Sequence, residues 1–269
     1  MTTNRLLERF RAGQPLIGAW CVTGAPLAAE LLAAEGFDYL CADCQHGLMS
    51  YDAMIPVLQA VARTGVTPVV RVARNDTGDI GKVLDGGAET VIVPMVNSRD
   101  EAELAVAACR YAPEGTRSFG PVRSALFLGA DPTIVNRQVA CLVMIETITA
   151  VEAADEICST PGVDGIYVGP ADLAITMGLS PSFLAPSKEH ADAIETVRLA
   201  CERAGILAGV HTGGGQQAEA YLDQGFNMVT ISTDAALLRS TAREELAVAR
   251  RHHGQGEGRP ASAGRAGYS

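Results

Sequence analysis

Two runs set the architecture: Cys141-Leu142-Val143-Met144-Ile145, which leads into Glu146, and Gly165-Ile166-Tyr167-Val168-Gly169-Pro170-Ala171, which leads into Asp172. Both read as buried strands that end on a carboxylate. Outward from them, apolar runs recur at 16–21, 37–42, 66–71, 89–94, 206–210 and 227–232; with 139–145 and 164–168 they make eight strands. Stretches of helical period separate them, at 27–34, 51–63, 77–85, 99–110, 150–159, 189–204 and 216–223, and 234–251 follows the last strand. This alternation predicts the α/β class and a (β/α)8 barrel, the TIM barrel. Pairs such as Glu35-Gly36, Thr64-Gly65, Ala204-Gly205 and Gln224-Gly225 stand where a helix must stop before the next strand, the place for a left-handed glycine cap.

One connection, Tyr111 to Asn136, is too long to be only a link and is expected over the site or in a subunit contact. The barrel is expected to occupy residues 1–251 as a single domain. Residues 252–269, rich in Gly, Ser, Ala and Arg, are expected to be disordered.

Hydrophobic residues make up 48% of the 269 but aromatic ones only 5%, so the apolar mass is Ala, Val, Leu and Ile, which suits helices wrapped around a buried parallel sheet. A formal charge of −10 argues against nucleic acid or an anionic membrane as partner, since both need a cationic face. No apolar run approaches the ~20 residues of a membrane span, and Met1 to Gly13 lacks a signal core, so a cytoplasmic protein is expected. The seven cysteines are scattered and odd in number, as for core residues in a reducing compartment. Cys41-Ala42-Asp43-Cys44 is formally a CxxC, yet it has no second CxxC and no helix-spaced His pair to complete a zinc site.

Barrel enzymes place their chemistry at the carboxyl ends of the strands. There the sequence puts Asp43 followed by Gln45-His46-Gly47, then Arg71, Glu146, Asp172 and His211 with Thr212 and three glycines. Two carboxylates at equivalent strand ends are costly to bury unpaired, and an oxygen-rich pair with room for water and substrate oxygens is the usual environment of Mg2+ or Mn2+. The competing reading is that Glu146 caps a helix and Asp172 pairs with an arginine.

Asp43 and His46 lie three residues apart, so the carboxylate could hold one imidazole nitrogen while the other moves a proton. Spacing alone is weak support, and the strand-end position is what favours catalysis. Arg71 emerges from a buried strand, where its charge needs an anion, either a substrate carboxylate or enolate or a neighbouring acid such as Asp43. Gly169-Pro170-Ala171-Asp172-Leu173 opens a helix and offers free amides to a carboxylate; Gly213-Gly214-Gly215 could do the same for phosphate. The only lysines, Lys82 and Lys188, stand away from the strand ends, which disfavours a Schiff base and leaves carbonyl activation to a metal.

Asp43-Cys44-Gln45-His46-Gly47, Pro68-Val69-Val70-Arg71-Val72, Val93-Pro94-Met95-Val96, Ile145-Glu146-Thr147 and Val168-Gly169-Pro170-Ala171-Asp172-Leu173 together resemble the HpcH/HpaI aldolase family, over roughly residues 5–245. The resemblance implies a class II aldolase that uses a divalent ion (Mg2+, Mn2+ or Co2+) and no organic cofactor, with a small-molecule 2-oxo acid and an aldehyde as reaction partners. It implies that Glu146 and Asp172 ligate the ion, that Arg71 stabilises an enolate, and that the backbone at Gly169, Ala171 and Asp172 holds the substrate carboxylate. His46, oriented by Asp43, is implied as acid/base through water. The family is typically a homohexamer in which a residue matching Asp85 reaches a neighbour's site. Gln45 stands where many members have Glu, and Met144 where many have Gln, which bears on acceptor preference and on the metal's surroundings.

The expected reaction is reversible cleavage of a 4-hydroxy-2-oxo acid to pyruvate, or hydroxypyruvate, and an aldehyde. The rivals are a CoA-thioester lyase of the citrate lyase or malyl-CoA lyase type, for which no basic CoA surface is evident, and a non-catalytic barrel subunit.

Overall fold

Short apolar runs bounded by glycine turns become eight strands: β1 (Leu16–Cys21), β2 (Tyr39–Asp43), β3 (Thr67–Arg71), β4 (Thr90–Val93), β5 (Ala140–Ile145), β6 (Gly165–Val168), β7 (Leu207–His211) and β8 (Met228–Thr233). In this computed structural model, which describes residues 4–183 and 185–251, they pair in chain order, all parallel, and β8 returns to β1. The fold is the expected (β/α)8 barrel. Each strand lies within two residues of its expected limits.

The helices are α1 (Arg5–Arg11), α2 (Pro26–Ala34), α3 (Tyr51–Ala62), α4 (Thr77–Asp85), α5 (Arg99–Cys109), α6 (Ala125–Leu128), α7 (Pro132–Gln138), α8 (Ile148–Glu152), α9 (Ala154–Cys158), α10 (Pro170–Thr176), α11 (Lys188–Ala204), α12 (Gly215–Asp223) and α13 (Asp234–Arg250). The single helix expected at 150–159 is two, divided at Ala153, where φ −94° and ψ 9° leave the helical range. Gly205 caps α11 in the left-handed conformation, at φ 68°. The expected tail, 252–269, lies outside the described residues. Among the described residues no helix is long and apolar enough to cross a membrane.

The barrel wall divides the buried side chains into two groups. Side chains pointing inward, among them Trp20, Tyr39, Val69, Ile92, Leu142, Tyr167 and Met228, form an inner cluster. Those pointing outward pack under the surrounding helices in a larger one. Leu6 and Leu7 of α1 belong to the inner cluster, and Asn4 ties that helix to the barrel's amino end by donating to the carbonyls of Glu89 (2.7 Å) and Gln138 (3.1 Å). One end of the barrel is thus plugged, and the other carries the polar strand ends.

The segment after α5 holds α6 and α7 and turns back on α3 and α4. Arg117 pairs with Asp85 at 2.7 Å, and Arg123 donates to the carbonyl of Gly86 at 2.7 Å. None of its residues lines the cavity at the barrel mouth, so within one chain it does not cover the site.

Candidate active site

Strand register builds the first half of the site. Asp43 and Arg71 are register partners at the ends of β2 and β3, and their side chains meet in a two-pronged pair: Nε donates to Oδ1 at 2.9 Å and Nη2 to Oδ2 at 2.7 Å. Both residues are buried. Burial alone would raise the Asp43 carboxyl, but the guanidinium outweighs it and holds the group below its usual range; burial would likewise lower Arg71, and Asp43 outweighs it and keeps the arginine charged. Arg71 also lies 4.4 Å over the ring of Trp20.

Asp43 Oδ1 accepts in addition from the backbone amides of Gln45 (3.0 Å) and His46 (3.2 Å). Asp43 thus fixes the turn that carries His46. The motif's glycine has a steric cause, because a Cβ on Gly47 would stand 2.2 Å from the carbonyl oxygen of Asp43. Burial, and then the charge of Arg71, lowers the His46 pKa, which favours the neutral ring.

The second half grows from β5 and β6. Ile145 and Val168 are register partners, which sets Glu146 beside Gly169. A Cβ on Gly169 would lie 2.7 Å from Glu146 Oε2, so glycine is what admits the carboxylate. Glu146 is buried, accepts from the Met95 amide at 2.7 Å, and has its pKa pushed up to about 7, mainly by burial, with the charge of Asp172 adding to it. Met95 makes that bond from φ 56°, the one positive φ outside glycine among the described residues.

Asp172 sits in the first turn of α10, half-buried on the cavity wall. Gly169, at the start of that helix, supplies no side-chain cap, leaving the first-turn amides unclaimed. From α11, the buried His190 donates its Nε2–H to the carbonyl of Pro170 at 2.8 Å and holds the turn in place. The two competing roles are not what the structure shows: Thr147, not Glu146, caps α8, and no arginine pairs with Asp172 among the described residues.

The cavity between these halves is lined by Arg71, Gly169 to Asp172, and an apolar wall of Trp20, Met144 and Phe183, with His211 beside them. Burial and the charge of Arg71 hold His211 down to about 3. Sequence reasoning noted His211 at a strand end without giving it a role, and it missed Trp20, Phe183 and Met95. Trp20 had a usable signal, as the only tryptophan in the chain and one residue from a strand end.

Other sequence features stand apart from this chemistry. Burial raises the thiol pKa of Cys41 far above its usual value and that of Cys44 to about 12, so the CxxC is a poor thiolate source. The Gly213 amide is already donated to Gln217 at 2.8 Å. Lys82 lies over the ring of Tyr51, and Lys188 pairs with Asp192 on α11.

Residues 16–241 match the family described as HpcH/HpaI aldolase/citrate lyase. The chain is 38% identical to a hydroxypyruvate/pyruvate aldolase of Rhizorhabdus wittichii, over 92% of this chain and 99% of that one. It is 37% identical to a 4-hydroxy-2-oxo-heptane-1,7-dioate aldolase of Klebsiella pneumoniae, over 87% and 89% of the two chains. A crystal structure of an HpcH/HpaI aldolase/citrate lyase family protein from Burkholderia cenocepacia superposes with a TM-score of 0.86 at 34% identity, covering 92% of this chain and all of that one. The Glu146–Asp172 acid pair, the Arg71–Asp43 bridge and the glycine that backs Glu146 therefore sit in a chain that belongs to the HpcH/HpaI aldolase/citrate lyase family.

Proposed function

We propose that this protein is a class II aldolase, a carbon-carbon lyase that reversibly cleaves a 4-hydroxy-2-oxo acid to pyruvate, or hydroxypyruvate, and an aldehyde. The observation that carries this reading is the buried Glu146 carboxyl, felt by the charges of Asp172 and Arg71, behind a barrel mouth that those two residues line, in a chain whose relatives bear aldolase names.

The acid pair fits a divalent ion. Glu146 has one oxygen on an amide and the other against Gly169, while the charge of Asp172 raises its proton affinity. A cation between the two would relieve that repulsion. Among the described residues no group of three His, Cys, Asp or Glu could ligate a metal, so the other coordination positions would fall to water and substrate oxygens. When bound, Mg2+, Mn2+ or Co2+ supplies Lewis-acid polarisation of the C2 carbonyl.

The residues divide the remaining work. The first-turn amides of Ala171 and Asp172 receive the substrate carboxylate at the positive end of α10. Arg71, fixed by Asp43, faces the negative charge that develops on the C2 oxygen. Neutral His46 takes the C4 hydroxyl proton through water as the C3–C4 bond breaks; that bond's electron pair forms the enolate, and protonation at C3 completes pyruvate. No organic cofactor enters.

The same reading makes the protein a homo-oligomer, a hexamer by resemblance, with Asp85 near a neighbour's mouth. Phe119, Val122, Leu126 and Phe127 are exposed on the segment that packs on Asp85, and Leu238 and Leu246 on α13, apolar surface of the kind that subunits cover. Sedimentation measures the assembly directly, and a monomer would remove it.

The deciding test is exchange of pyruvate methyl protons in deuterium oxide. Exchange should appear with a divalent ion, vanish with chelator, and be lost in Glu146→Ala and Asp172→Ala. Exchange unaffected by chelation would refute the metal reading, and no exchange in the metal-loaded protein would refute the aldolase reading.

A further inference from the structure

His211 is the one polar group set in the apolar wall of Trp20, Met144 and Phe183. Its ring stands edge-on to Trp20 (centroids 4.9 Å apart, planes at 88°) and 5.1 Å from Phe183. Nδ1 faces the barrel interior, 3.4 Å from the Tyr167 phenol oxygen. From there a chain of hydroxyls runs inward: Tyr167 to Thr230 Oγ1 at 2.5 Å, Thr230 to the Tyr39 hydroxyl at 2.8 Å, and Tyr39 to the carbonyl of Val229 at 2.9 Å.

Each hydroxyl has one proton and the carbonyl can only accept, so the four contacts are hydrogen bonds together in a single order. Tyr39 donates to Val229, Thr230 to Tyr39, Tyr167 to Thr230, and His211 Nδ1–H to Tyr167. That order puts the proton of the neutral ring on Nδ1. Nε2 is left with a lone pair; it has no hydrogen-bond partner among the described residues and is not among the polar atoms sealed away from solvent.

We propose that Nε2 of His211 accepts a hydrogen bond from a hydroxyl on C3 of the donor, so that the site prefers a 3-hydroxy-2-oxo acid such as hydroxypyruvate to pyruvate. The proposal rests on the aldolase reading above. The carboxylate and keto oxygens of a 2-oxo acid can only accept, so neither satisfies Nε2. A C3 hydroxyl is the one donor such a ligand offers. The methyl group of pyruvate would desolvate Nε2 and leave it unmet, the costly case for a buried acceptor.

The test compares hydroxypyruvate and pyruvate by deuterium exchange at C3 with Mg2+ and no aldehyde, so that no C4 hydroxyl takes part. The wild type should show the higher kcat/KM for hydroxypyruvate. His211→Leu should lower the hydroxypyruvate-to-pyruvate ratio about tenfold, the size of one lost hydrogen bond, chiefly by raising KM for hydroxypyruvate. His211→Gln, which keeps an acceptor, should recover part of the ratio and serves if the leucine variant fails to fold. A ratio the same in wild type and variants, or two donors falling in step, would overturn the proposal. So would nitrogen NMR of the wild type showing the proton on Nε2. Wild-type protein that exchanges neither donor would instead overturn the aldolase reading and this inference with it.

Discussion

The amide of Met95 donates to Glu146 Oε1 at 2.7 Å from a left-handed backbone, φ 56°. The carboxylate's place in the site thus depends on a conformation that side chains with a Cβ resist, at about 1–2 kcal/mol per residue. Met95 itself is 48% exposed, so core packing of its side chain is not the cause.

A glycine at this position should therefore be tolerated or better. Met95→Gly is expected to change stability by between zero and about 1 kcal/mol in the favourable direction. Met95→Val should cost about 1–2 kcal/mol, since a β-branched residue fits φ > 0 worst. Urea denaturation of the two variants gives the order, and the reverse order would show that the backbone here is unstrained.

Glu146 makes stability depend on pH in an uncommon direction. Its folded pKa of about 7 lies above the ordinary 4.5, so the fold keeps a proton that the unfolded chain has given up. Metal-free protein should lose stability as pH rises from about 4.5 to 7, by a few kcal/mol at about 1.4 per tenfold of proton affinity. Glu146→Gln should flatten that slope and raise the melting temperature at pH 8, while abolishing exchange of pyruvate protons. Melting curves at pH 5 and pH 8 without metal decide it; equal slopes in the two proteins would refute the burial argument.

Removing one member of the Asp43–Arg71 pair strands the other charge in a buried place. Asp43→Ala should cost about 3–5 kcal/mol, and the double variant Asp43→Ala, Arg71→Met less than the sum of its parts. Because the pair holds Asp43 below its usual 3.8, its contribution is complete at neutral pH and fades only as pH falls through the lowered value. A denaturation cycle over the four proteins measures the coupling, and additive losses would show no interaction.

Gly169→Ala probes the contact between strands. The new Cβ would meet Glu146 Oε2 at 2.7 Å and Glu146 Cβ at 2.9 Å. The expected outcome is a cost of about 1–3 kcal/mol in stability, with more than tenfold weaker exchange activity on the order set by about 1.4 kcal/mol per decade. Calorimetric titration with Mg2+ should show weaker binding. Unchanged binding would mean that Glu146 does not need its present position.

Much of this was legible in the sequence because strands and the helices between them carry local patterns. The eight apolar runs, the helix-ending glycines and the acids that follow the second, fifth and sixth runs are read from neighbouring residues alone. Short helices escaped notice: α1, α6 and α7 span at most seven residues, too few for a periodic signal. The partner of Arg71 stayed open in the sequence because register across 28 residues of chain selects it. Trp20 and His211 meet from the first and seventh strands, and no local spacing announces such a neighbour. The φ of Met95 has no compositional mark.

Leu6 and Leu7 stopper the barrel, and Asn4 fastens them there. Traffic through such a vessel has one doorway. On the proposed reaction, aldol cleavage and its reverse in a blind-ended vessel run as a queue: the oxo acid, if held at Arg71 and Asp172 as proposed, arrives first in synthesis, and in cleavage it departs after the aldehyde has cleared the entrance. Product-inhibition patterns of an ordered release, with the oxo acid competing against the cleavable substrate, are the kinetic imprint of that stopper.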